Sequence, residues 1–370
     1  MKKIFFILIF LLINTQCFAV DSELGEFTEI ISNFQNDIID AEEYTSIVED
    51  LKNGNFNFDY KKVFNKIGLI FSKELKNNVG IIIQIVIIAI LSCFLTNIKG
   101  DFASKGVGQI SFYICYIVII TLVISSFTTI LDIAKDAVVT AVSFMNVFTP
   151  VILGFIVSTG GFTVSSMIYP LIIFVTNLIT NLTGSVVIPL LTTAFGIGLV
   201  ANISEKNKLS KLSKTMRSVI IWGIGIGLTL FVGIVSLEGT IATTVDGITV
   251  KTAKFIFSNG IPVVGKLLGD SVDTILGSTV VLKDAVGTVG VIILLVLLLT
   301  PLIKILMFLF MYSVANILIQ PFAESRIVKS IEEVIEGIKV IGAILLTVNV
   351  MFIIGIVSML KMTNGIVMFR

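Results

Sequence analysis

From Val79 onward the chain is a succession of apolar runs, and several are long enough to cross roughly 30 Å of hydrocarbon as helices. They are Val79–Ile98, Ile110–Leu131, Val138–Ser158, Val164–Asn202, Ser218–Leu237, Val291–Gln320 and Ile338–Leu360. In lipid each backbone polar group must find its partner within the chain, so such runs dictate helices. Val164–Asn202 is too long for one crossing, and Gly184 and Pro189 suggest a break into two. Thr300-Pro301 and Lys304 interrupt the sixth run, which reads as either one long kinked helix or a tight pair. Composition agrees: 14% of residues are charged and mean hydropathy is +1.04, against roughly 25% charged in soluble domains. The expected fold is an all-α polytopic membrane protein of about eight to ten membrane helices.

Composition also narrows the chemistry. Net charge is +1, which implies no nucleic-acid partner. Histidine is absent, removing the usual general base and the commonest metal ligand. Cys17, Cys93 and Cys115 have neither a disulfide nor a zinc spacing. No GxxxxGK[ST], HExxH or GxSxG motif occurs, so no catalytic residue, cofactor or metal site is expected, and the chain is read as non-enzymatic.

Met1-Lys2-Lys3 followed by IFFILIFLLI and Cys17-Phe18-Ala19 has the form of a signal peptide, residues 1–19. An uncleaved first anchor is the other reading. Residues 20–78 form an acidic, extracytoplasmic helical region with twelve carboxylates against six lysines. Residues 79–131 hold two spans. Orientation follows from the lysines: with residue 20 outside, two further crossings after the first span put the Gly160-Gly161 connection inside, and the basic segment 203–217 also falls inside.

Phe144-Met-Asn146-Val-Phe-Thr-Pro150-Val151 is echoed by Phe257-Ser-Asn259-Gly-Ile-Pro262-Val263, and Gly233-Ile-Val-Ser236-Leu237 by Gly355-Ile-Val-Ser358-Met359. Residues 138–237 and 251–360 therefore read as two membrane repeats, an architecture common in transporters. Asn146, Pro150, Asn259, Pro262 and Gly265 are the expected helix breaks or turns. Asn177, Asn181 and Gly184 share a face suited to interhelical hydrogen bonds.

The charged stretch Asp246–Gly290 stands out among these runs. Lys266, Asp270 and Asp273 fall at i, i+4 and i+7 on one helix face. That face could line a polar cavity, with the segment re-entrant, or rest in water with the helix lying in the interface; the sequence allows both.

Ile261-Pro262-Val263-Val264-Gly265-Lys266, Gly269-Asp270-Ser271-Val272-Asp273 and Lys283-Asp284-Ala285-Val286-Gly287 together resemble the stage III sporulation protein AE family. The resemblance extends over nearly the whole chain. It implies a multi-pass component of the mother-cell membrane in the channel or secretion complex joining mother cell and forespore, required for endospore formation. The implied partners are the other stage III sporulation A-operon membrane proteins, their cytosolic ATPase and, indirectly, the forespore stage II sporulation protein Q, besides membrane lipid. A stand-alone secondary transporter built from two repeats, or a purely structural membrane scaffold, are the alternatives.

Overall fold

The computed structural model describes residues 60–97, 105–203, 208–260 and 265–368. The leader and residues 20–59 of the acidic region lie outside the described residues. The rest is helical: α1 Tyr60–Asn97, α2 Lys105–Ser158, α3 Phe162–Leu182, a π-turn Thr183–Val187, α4 Ile188–Ile203, α5 Lys208–Gly260, α6 Gly265–Ile319 and α7 Ser325–Met368. Among the described residues six helical segments are long and apolar enough to span a membrane. These are the expected apolar runs gathered into fewer, longer elements.

The gathering has local causes. Runs 110–131 and 138–158 are one helix, because the intervening Asp132, Lys135 and Asp136 are ordinary helix residues facing outward, with opposite charges at i, i+3. Charge alone does not end a helix. Similarly, the amphipathic segments beside 203–217 and 321–337 are helical from Lys208 and from Ser325, not loops. The break expected at Gly184 and Pro189 is a π-turn instead. Pro189 has no N–H and its ring crowds the carbonyl of Ser185, and widening the turn relieves that clash while the helix continues. The N–H of Ile188 then bonds back to the Thr183 carbonyl. Phe162–Ile203 is 42 residues of near-continuous helix, about 63 Å long, roughly twice the hydrocarbon thickness. Tilt, bending at Pro150, Pro170, Pro189 and Pro301, and protrusion beyond the lipid are the ways to accommodate such length.

α2 ends in a Schellman motif. Gly161 N–H bonds the Ile156 carbonyl and Gly160 N–H the Val157 carbonyl, with Gly160 at φ 89°. The left-handed conformation selects glycine there.

α2 also supplies the core with aromatic rings, and its neighbours make room for them with glycine. Phe127 stacks on Phe195 of α4 and presses on Gly337 of α7. Phe148, fully buried, presses on Gly290 of α6. A methyl added at Gly290 overlaps the Phe148 ring, so Gly290→Ala is expected to destabilise the protein by about 1–3 kcal/mol. Thermal unfolding in detergent measures it; an unchanged midpoint would refute the contact. The outer surface is apolar, with Phe94, Phe162, Phe174, Trp222 and Leu237 exposed, as lipid-facing helices require. Outward-facing Thr192, Thr193, Thr229 and Thr240 return their hydroxyls to carbonyls of their own helices.

Polar contacts set the order of the two ends. Tyr116 of α2 meets Ser330 of α7 at 2.9 Å and the Leu199 carbonyl of α4 at 3.4 Å. Hence the N-terminal parts of α2 and α7 lie with the C-terminal part of α4. The last turns of α2 and first turns of α3 lie instead beside Asp246, far along α5. The Gly160-Gly161 connection is thus at the end opposite the basic start of α5. This corrects the expectation that both lie on one side, which counted two crossings where α2 is one helix.

Candidate functional site: two buried charge clusters at opposite ends of the bundle

At the basic end, α4, α5 and α7 converge on one carboxylate. The guanidinium of Arg217 donates to Glu333 Oε2 at 2.6 Å, and its second nitrogen to the Glu333 backbone carbonyl at 3.3 Å. Ser213 Oγ, one turn before Arg217, donates to the same carboxylate oxygen at 3.3 Å. Gly198 of α4 lies against it, where any side chain would collide with the carboxylate. Both charged side chains are less than a tenth exposed. Ser213 and Arg217 are at i, i+4 and so share a face of α5. Desolvation of such a pair is offset only when geometry and additional hydrogen bonds are good; here Ser213 of α5 and the Glu333 backbone carbonyl of α7 supply the bonds, and Gly198 of α4 makes the room.

The pair forms one wall of a cavity of about 910 Å³ that Lys211, Lys214, Lys329, Glu332, Glu336 and Lys339 also line. Glu336 and Lys339 pair with each other at 2.8 Å. Arg326, just before this region, lies 5.6 Å from the centre of the Phe112 ring, a cation–π distance.

At the opposite end, α3 begins at Phe162 after Gly161, which has no side chain to cap it. The cap comes from α5 instead. Asp246 Oδ1 accepts from the Thr163 N–H at 2.9 Å and Oδ2 from the Val164 N–H at 2.8 Å. These are two of the amide donors a helix start leaves unsatisfied, and a carboxylate there also suits the helix dipole. Asp246 is 2% exposed. Nearby, fully buried Lys283 of α6 donates to the Leu360 carbonyl of α7 at 3.1 Å and lies 3.2 Å from Asp284. Gly287, one turn on, lies against the side chain of the same Leu360.

The residues singled out in the sequence fall into three groups. From the unusual charged stretch, Asp246 and Lys283 tie helices together inside the bundle, while half-exposed Asp284 pairs with Lys283 on its own helix. Lys266, Asp270 and Asp273 are on the helical backbone of α6, but their side chains lie outside the described residues. Asn146 and Pro150 sit inside α2, which runs on to Ser158 without a turn. Pro150 has no N–H to offer the Asn146 carbonyl, yet the helix continues through it. α5 is described to Gly260, just after Asn259, and α6 from Gly265; Pro262 lies outside the described residues. Interhelical bonding on α3 runs through Thr176, whose hydroxyl donates to Asn146 Oδ1 at 3.2 Å. Exposed Asn177 bonds its own helix at the Ile173 carbonyl instead.

Arg217 and Glu333 were not singled out from the sequence. The only available signal was an arginine and a glutamate each at a helical spacing from small or apolar residues, which selects no partner.

The family model for stage III sporulation protein AE matches residues 43–363. The chain belongs to the stage III sporulation protein AE family. The match covers the described bundle from Tyr60 to residue 363. The chain is also similar to the stage III sporulation protein AE of Bacillus subtilis (strain 168), with 27% identity over 348 residues, covering 94% of this chain and 87% of that protein. No solved structure matches.

Proposed function

We propose that the protein is a non-enzymatic, multi-pass membrane component of the channel or secretion complex that joins mother cell and forespore during endospore formation. The observation that carries this reading is family membership across a polytopic helical bundle. Residues 1–19 act as its signal peptide and the acidic region faces the extracytoplasmic space between the two membranes. If each of the six long helices crosses once, the starts of α2, α5 and α7 share the cytoplasmic side. Lys105, Lys208, Lys211, Lys214, Arg326 and Lys329 belong to those starts, in keeping with the excess of basic residues on cytoplasmic faces. The cytosolic ATPase of the A-operon would then meet the protein at this end, and the other A-operon membrane proteins would meet it along its apolar flanks. The two repeats, 138–237 and 251–360, include two like hairpins, α3–α4 with α5 and α6 with α7, each closed at that same end.

Affinity purification of the tagged, full-length protein from sporulating cells tests this. The expected result is co-purification of the A-operon membrane proteins, with ATPase recovery that falls when the lysines at the start of α5 are exchanged for glutamate. Recovery of the protein alone, together with solute uptake by the purified protein in liposomes, would favour the stand-alone transporter instead.

A further inference from the structure

We propose that the cavity between the starts of α5 and α7 binds the phosphate headgroup of an anionic phospholipid, with Trp222 and the apolar face of α5 taking the acyl chains. The cavity's volume, about 910 Å³, is in the range of small-molecule sites. Five basic side chains and three acidic ones line it. Glu333 is committed to Arg217 and Glu336 to Lys339. That leaves Lys211, Lys214 and Lys329 against Glu332, and those three lysines are exposed and make no ion pair among the described residues. Two of them lie one turn apart on α5 and the third is on α7, and all three line the same cavity. Basic pockets between membrane helices on the cytoplasmic side are suited to such headgroups.

The apolar flank selects lipid over a free anion. Ile221 lines the cavity, and beside it Trp222 is 71% exposed, a residue type that settles at the boundary between headgroups and acyl chains. Ile226 and Leu230, at i+4 and i+8 from Trp222 on the same face of α5, are also exposed. A lipid whose phosphate sits among the lysines can therefore lay its chains along this apolar face. The Arg217–Glu333 pair acts as the floor, holding α5 and α7 at the spacing that keeps the lysines apart. The inference needs the bundle to be embedded in a membrane but not to belong to the proposed complex, so either reading can fail without the other.

The test uses the purified full-length protein in neutral detergent, titrated separately with cardiolipin, phosphatidylcholine, inorganic phosphate and a polyglutamate peptide. Native mass spectrometry and the unfolding midpoint are the readouts. Cardiolipin is expected to stay bound and to raise the midpoint, and phosphatidylcholine to do neither. The triple variant Lys211→Gln, Lys214→Gln, Lys329→Gln is expected to weaken cardiolipin binding about tenfold or more, while Lys135→Gln, elsewhere on the surface, leaves it unchanged. Equal binding by the triple variant overturns the proposal. So does a midpoint shift from phosphate alone equal to that from cardiolipin, which would mean a free-anion site. Binding of polyglutamate without cardiolipin would assign the cavity to an acidic protein segment and also overturn it. Should the triple variant not fold, the natural protein decides: cardiolipin affinity that falls steeply with salt supports the site, and salt-insensitive affinity contradicts it.

Discussion

Glu333→Ala is expected to destabilise the protein by about 3–5 kcal/mol, because it leaves the Arg217 guanidinium buried with only a backbone carbonyl for a partner. Arg217→Ala is expected to cost a similar amount, since the Glu333 carboxylate would keep only the Ser213 hydroxyl, 3.3 Å away. The double variant Arg217→Met with Glu333→Leu removes both charges and fills the space, so its loss should be well below the sum of the single losses. Breaking a buried pair is costly mainly through the charge left behind, and replacing the pair can be close to neutral. Measured with the matching singles Arg217→Met and Glu333→Leu, the unfolding midpoints of the natural protein, the two singles and the double form a double-mutant cycle. Additive losses would show that the two residues act separately and would contradict the interlock of α4, α5 and α7.

The second large effect lies at the other end of the bundle. Asp246→Ala removes the acceptor for the Thr163 and Val164 amides, and each unsatisfied buried donor costs about 1–3 kcal/mol. Asp246→Asn is expected to recover only part of the loss. It keeps one acceptor oxygen but turns an amide donor toward the second N–H. Hydrogen exchange gives the most specific readout: protection at Thr163 and Val164 should fall in both variants, while that at Tyr116 and Ser330, at the far end, stays unchanged. Unaltered protection at α3's start would show that its first amides do not depend on α5.

These two clusters mark where sequence reasoning reaches its range. The apolar runs, the polytopic class and the family-specific charged stretch are all legible, because burial and membrane insertion act on contiguous residues. The continuity of α2 is less so. Asp132, Lys135 and Asp136 look like a connection when hydropathy is averaged, yet charged residues on an outer helix face do not end a helix, and no proline or glycine occurs there. The π-turn at Thr183–Val187 was visible as a disturbance at Gly184 and Pro189, but its form depends on whether the backbone can widen by one residue. The Arg217–Glu333 pair joins residues 116 positions apart, and Asp246 caps a helix some 82 positions earlier. Neither partner carries a local sign of the other. The same distance explains why the charged stretch drew attention for its composition while the role of Asp246, at its start, could not be read from it.

The central claim is that this bundle serves endospore formation from the membrane of the mother cell, and one measurement addresses it directly. The gene is deleted in the organism that carries it, and heat-resistant spores are counted with and without a copy expressed only in the mother cell. The expected result is a loss of several orders of magnitude in spore yield, with engulfment completed, restored by the mother-cell copy. Normal spore yield in the deletion strain, or rescue only by a copy expressed in the forespore, would contradict it.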